Sequence, residues 1–278
     1  MQSALPRSGR ARIARTAWLR ALVLGMTTLA GSASVAGAGS RMTMPYPTFF
    51  GTIPAATYDV HGNRLGDAFL AIDLRDDGSV EMDVVSGIDG GAKNVVHAEL
   101  EPVRVGEETR LRIVRQRSQS FEPSGEPMVM LEVDHEKGVA RCTPPGKDPE
   151  SVPVVKLPKE DRVANVPLNL LFQPLARGER KRLKFQVFLC LGGPRLVNFI
   201  AKAAGEGKGK KSQVREIRYG PDFGKMFSWV VDTVTPELYF WFDAGGEGQY
   251  IGHRMPLYSK GPEVLIVRDG FPPSTLLD

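Results

Sequence analysis

The densest chemistry in this sequence is aromatic. Trp229 is followed by Leu238-Tyr239-Phe240-Trp241-Phe242, and on a strand Tyr239 and Trp241 share one face while Leu238, Phe240 and Phe242 share the other. Both faces are apolar, so one can fill a core while the other lines a concave pocket for an apolar small molecule or lipid, such as an acyl chain. Trp229, Tyr239 and Trp241 are the candidate ligand-binding residues on that reading. The competing reading covers the second face with a connecting segment. Cys142 and Cys190 are the two cysteines of the chain. Either they form a disulfide, which an oxidising compartment permits, or they are unpaired thiols on separate strands.

Other motifs do not assemble a catalytic or metal centre. Gly205 to Ser212 (GEGKGKKS) has the composition of a phosphate loop, but Ala204 stands where the first glycine of that loop is needed before Gly209-Lys210, and Lys211 replaces the Mg²⁺-binding hydroxyl. It reads as a solvated hairpin loop. The histidines His61, His97, His135 and His253 lack metal-ligand spacing. Asp134-His135-Glu136 is the densest titratable cluster, and with Lys137-Gly138 after it the cluster reads as a surface turn. Ser86-Gly87 lacks the flanking glycines of a nucleophile elbow. No catalytic residue, metal ligand or cofactor is assigned from the sequence.

The sequence has 278 residues, 42% apolar and 24% charged, an ordinary globular composition. Its formal charge of +4 is set by Arg7, Arg10, Arg12, Arg15 and Arg20; removing those five from 36 basic residues leaves 31 against 32 acidic, a net of −1. A near-neutral remainder has no electrostatic reason to seek nucleic acid or an anionic membrane. The first forty residues, which hold those five arginines and no acidic residue, read as a secretory signal: a basic stretch, the apolar run Ala21 to Ala30, then small residues. Cleavage is expected after Ala38, with Ala36 competing, and the apolar run is shorter than the roughly 20 residues a spanning helix requires. A retained anchor is the alternative. The mature chain is thus expected in the periplasm, or outside the cell, with no transmembrane span.

Period-two alternation dominates the rest of the chain. Val80, Met82 and Val84 alternate with Glu81 and Asp83, and Val129, Leu131 and Val133 with Met130, Glu132 and Asp134, while Leu183, Phe185, Val187, Leu189 and Leu191 form the longest stripe and read as a central strand. Further strands are expected at 57–60, 68–74, 95–101, 109–117, 138–143, 213–219, 237–242 and 264–268, separated by turns such as Asp76-Asp77-Gly78 and Asp89-Gly90-Gly91. Helix is scarce. Pro167 and Pro174 make 165–176 a short helical turn and a connection; 194–204 reads as helix or strand, and 223–234 equally as helix or strand. The expected fold is mainly β: a single curved antiparallel sheet or half-barrel in two lobes, with one or two short helices. Residues 39–54 form an N-terminal extension, 55–268 the β domain (lobes of about 55–160 and 180–268, connector 161–179) and 269–278 a tail.

Tyr58-Asp59-Val60, Gly66-Asp67-Ala68, Asp76-Asp77-Gly78, Leu157-Pro158, Asn165-Val166-Pro167-Leu168-Asn169, Leu175-Ala176-Arg177-Gly178-Glu179 and Pro236 to Phe242 resemble a family of bacterial exported β-sheet proteins of unknown function. The resemblance covers most of 55–268. It implies a strongly curved antiparallel sheet, similar at fold level to the open half-barrels of periplasmic lipoprotein carriers, and brings no catalytic residues with it. The long connector and the Lys208 to Lys211 insertion depart from it. The function expected is an exported, non-catalytic binding module of the cell envelope for an apolar or lipid-like ligand. A structural component that partners another envelope protein, or a hydrolase whose site is assembled only in space, are the alternatives.

Overall fold

A computed structural model describes residues 41–204, 214–222 and 238–277. Its strands are β1 (Thr43–Pro45), β2 (Gly51–Tyr58), β3 (Arg64–Leu74), β4 (Val80–Gly87), β5 (Lys93–Val105), β6 (Glu108–Phe121), β7 (Pro127–Asp134), β8 (Val139–Thr143) and β9 (Val154–Lys156), then, after a connector, β10 (Arg182–Leu189), β11 (Arg195–Ala203), β12 (Val214–Pro221), β13 (Leu238–Asp243), β14 (Tyr250–Pro256) and β15 (Glu263–Arg268). The connector carries two single-turn helices, α1 (Leu168–Leu171) and α2 (Gln173–Ala176). Pro167 precedes the first and Pro174 lies in the first turn of the second, where a missing N–H costs nothing.

The fold is mainly β, one large antiparallel sheet in the order β10-β11-β12-β13-β14-β15-β2-β3-β4-β5-β6-β7-β8-β9, with β1 added on β6. The two expected lobes are two halves of this single ladder, joined where β15 pairs with β2 (Ile266 with Thr57). Successive hairpins supply the other neighbours. In one of them Gly78 takes a φ of 82°, and Asp77 Oδ1 accepts hydrogen bonds from the Ser79 amide and hydroxyl, which closes the β3–β4 turn. The N-terminal extension is not separate from the sheet, because β1 and the first residues of β2 fall within it. Nor is the tail free: Pro273–Thr275 make a helical turn and Leu276 is buried. The stretch 194–204 is strand β11, while 223–234 lies outside the described residues.

One expectation reverses. The long Leu183–Leu191 stripe is not a central strand, since β10 ends the sheet. The connector covers its outer edge: Arg162 O accepts from the Gln186 amide, the Ala164 amide donates to Gln186 O, and Val163 packs with the fully buried Phe188. An exposed strand edge is thereby capped. The Asn165 side chain extends the pairing, its Oδ1 accepting from the Phe188 amide (3.0 Å) and its Nδ2 donating to the Phe188 carbonyl (2.8 Å).

From its other side the connector is held by the first half of the sheet. Gln116 of β6 is fully buried, and its Oε1 accepts from the amides of Asn165 (2.6 Å) and Val166 (3.0 Å). Two backbone donors on one atom fix the amide orientation, so Nε2 is the donor to Val163 O (3.2 Å) and to His135 Nε2 (2.6 Å). His135 must then carry its proton on Nδ1, which it donates to Asp161 Oδ2 at 2.6 Å, while Asp161 Oδ1 accepts from the Val163 amide. The Asp134-His135 pair expected in a surface turn is thus buried. Asp161, 26 residues away in sequence, makes the difference. Beyond this network Cys142 of β8 and Cys190, just past β10, are joined by a disulfide that links the two ends of the sheet.

Gln116→Leu would leave four polar groups without their partner, two in the buried residues Val163 and His135 and two in the part-buried Asn165 and Val166, at roughly 1–3 kcal/mol for each that is buried and unsatisfied. We expect it to lower unfolding free energy by at least about 3 kcal/mol in urea titration, far beyond a surface Gln→Leu control. Replacing both cysteines by serine opens a crosslink across a sequence separation of 48 residues. The expected loss is about 4 kcal/mol in the chain-entropy account, read as a lower denaturation midpoint that reducing agent does not shift further.

Candidate functional site

The concave face of the sheet is not completely filled. A cavity of about 210 Å³ is bounded on one side by a cross-strand row that runs over five neighbouring strands, Leu70, Val84, Val96, Ser118 and Leu131. Side chains directly opposite on adjacent strands share a face, so a row of this kind forms a continuous wall. A second row, Phe240, His253 and Ile266 on β13, β14 and β15, lines the same space, and residues Asn165–Asn169 of the connector close it. Past Leu70, Asn169 and Tyr250, which border both, a further cavity of about 140 Å³ continues toward Phe49 and Ile53. Together the two reach the lower end of the roughly 300–1,000 Å³ usual for small-molecule sites, enough for a slim ligand.

The lining is apolar apart from a few placed polar groups. Ser86 and Asn94 are paired across β4 and β5, and Asn94 Oδ1 accepts from the Ser118 (3.3 Å) and Ser120 (3.0 Å) hydroxyls. Opposite them in the lining stands a Tyr250–His253 pair, hydrogen-bonded through the Tyr250 hydroxyl and His253 Nδ1. Residues three apart on a regular strand face opposite ways. Here the register shifts: Phe242 pairs with Tyr250 but Trp241 with Gly252, so a bulge brings Tyr250 and His253 onto the face of Phe240 and Phe242. Gly252 is needed in this arrangement, because a Cβ there would run into the Ile266 carbonyl oxygen. The His253 ring stacks on Phe240 with centroids 4.9 Å apart.

Burial sets the electrostatics of this pair. It lowers the His253 pKa from 6.5 to about 4 and pushes the Tyr250 phenol up from its usual 10, with Tyr219 nearby adding to the latter. Both groups are therefore neutral around pH 7. They present hydrogen-bonding edges in an apolar wall, not an acid and base poised for proton transfer near neutrality. Among the described residues no group of three or more His, Cys, Asp or Glu side chains is placed to hold a metal ion.

The aromatic residues singled out from the sequence lie elsewhere. Tyr239 and Trp241 do share one strand face, stacked with centroids 5.5 Å apart, but it is the face turned away from the cavity. The C-terminal segment covers it: Leu276 packs into the same cluster as Trp241, Ile251, Leu265 and Val267, with Phe271 and Leu277 against it. Trp241 Nε1 donates to Glu216 Oε2 at 3.1 Å, and the Arg218 guanidinium sits 5.3 Å from the centre of the Tyr239 ring. Their interleaved neighbour Phe240 lines the cavity instead. Trp229 lies outside the described residues, as does the 205–212 loop. Alternation identified the two faces of β13, but it carried no sign to say which faced inward. The His253 and Tyr250 contribution was hidden by the bulge.

No protein-family model matches the chain, and no curated protein does. Among solved structures it is similar to a beta-barrel-like protein of domain of unknown function DUF1849 from Brucella abortus. That match has 12% identity and a TM-score of 0.38, covering 79% of this chain and 97% of the other. Among the described residues no helix is long and apolar enough to cross a membrane.

The depressed pKa of His253 has a consequence for stability. Between pH 6.5 and about 4 the unfolded chain binds a proton that the folded chain refuses, so the folded state loses stability as pH falls through that window. The full contribution is present above pH 6.5, and the loss approaches about 3 kcal/mol near pH 4. Urea midpoints at about pH 7 and about pH 4.5 should differ less in His253→Phe than in the parent by most of this amount.

Proposed function

We propose that the chain is an exported, non-catalytic binding module of the cell envelope that holds a slim apolar or lipid-like ligand in its concave interior. The observation that carries this reading is the apolar cavity between the Leu70–Leu131 row and the Phe240–Ile266 row, which the buried connector leaves unfilled. A single acyl chain suits its modest volume and apolar walls, with Ser86, Asn94 and His253 available to a polar end. The neutral Tyr250–His253 pair favours binding over proton transfer. Export is supported by the basic, apolar and small-residue order of the first forty residues. The same order supports a periplasmic location, with an extracellular one as the alternative.

Native mass spectrometry of the protein purified from the exported fraction tests this. The expected result is a reproducible extra mass that dissociates on unfolding, retained by the parent and reduced at least about fivefold in Val84→Trp. The indole at that position would occupy the cavity, and an unchanged melting temperature would show that the fold persists. Bare protein in both cases, with no uptake of an added fatty acid, would overturn the proposal.

A further inference from the structure

A second concavity has the opposite character. It measures about 260 Å³, and its lining includes Arg41, Arg110, Arg162, Arg180 and Lys184 and no carboxylate among the described residues. These cations come from four separate parts of the chain: the approach to β1, strand β6, the start of the connector, and the α2–β10 region. Thr43 Oγ1 accepts from Arg110 Nε at 3.0 Å and so orients that guanidinium. The floor is apolar, made by Met42, Leu171, Pro174, Leu175 and Leu183.

The local charge is not balanced. Arg110 meets Glu108 (3.3 Å), Arg162 meets Glu160 (3.4 Å) and Lys184 meets Asp222 (2.8 Å). The first two carboxylates are largely exposed, and such pairs hold little. Arg41 and Arg180 have no carboxylate partner among the described residues. Two guanidiniums without an ion pair, beside two weakly paired arginines and a lysine engaged by Asp222, match the charge of one phosphate monoester, about −1.5 to −2 at neutral pH. The planar donor fork of arginine suits its oxygens. Like charges gathered over an apolar floor repel one another unless an anion lies between them.

We propose that this cleft binds a phosphate-type dianion attached to an apolar body, with the charged group among the guanidiniums and the apolar part on the floor around Leu171 and Leu183. The cleft shares no lining residue with the interior cavity, so the proposal stands independently of a ligand there.

Isothermal titration of the full chain with inorganic phosphate, dodecyl phosphate below its micelle concentration, and dodecanol tests it. Dodecyl phosphate should bind, more weakly as salt is raised. The double variant Arg41→Ala/Arg180→Ala should weaken it at least about tenfold. Both positions are exposed, so melting temperature should hold, and the Arg41→Gln/Arg180→Gln pair should give the same loss. All titrations are made in the Val84→Trp background, in which the indole fills the interior cavity and leaves the cleft as the site read. Equal affinity for inorganic phosphate would overturn the role given to the apolar floor and leave a site for the free anion. In that background, binding that survives the arginine changes or that dodecanol reproduces would overturn the proposal, as would no binding at all.

Discussion

The amide of Gln116 is the constraint on which the remaining architecture depends. It is fully buried, it accepts two connector amides, and it donates to a connector carbonyl and to His135. A curved open sheet leaves two unpaired edges and an uncovered concave face. The β10 edge and that face are both covered by the same segment, residues 161–176, provided its backbone polar groups are satisfied away from water. Gln116 and His135 do this from one half of the sheet, with Asp161 of the segment itself accepting from His135 and the Val163 amide, and Gln186 and Phe188 do it from the other. The connector is therefore a structural member between two ends that do not pair with each other, and the Cys142–Cys190 bond lies in the same seam.

The cavities follow from where that segment runs. Leu168, Leu170, Leu171, Phe172 and Leu175 fill much of the interior and join both halves in one core. Leu168 and Asn169 border the apolar cavity, Leu170 the chamber beyond it, and Leu171 and Leu175 the floor of the cationic cleft. A few residues of two short helices thus separate spaces of different chemistry. Any ligand in one of them would touch the element that holds the sheet ends together, which links occupancy to stability by mass action.

Much of the fold was legible because strand alternation and turn residues are local properties. Val80–Met82–Val84, the Asp76-Asp77-Gly78 turn and the prolines at 167 and 174 each find the structure their spacing implies. The site was far less legible. The Leu183 stripe reads as central because it is long and unbroken, and a strand whose edge is covered by a connector carries the same stripe as one flanked by other strands. Tyr239 and Trp241 looked like a pocket wall for a similar reason, although Leu276 covers them.

By itself the sequence determined that this is a mainly β chain of many short hairpins, with a proline-marked connection between two strand-rich parts. Those features depend on neighbours within a few residues, through backbone geometry and side-chain period. Only the tertiary structure decided which face of each strand points inward, that β15 pairs with β2, that His135 meets Asp161, and that a bulge at β14 turns Tyr250 and His253 onto one wall. The physical reason is that a period-two pattern is symmetric between its faces. The symmetry is broken by contacts between residues tens to hundreds of positions apart.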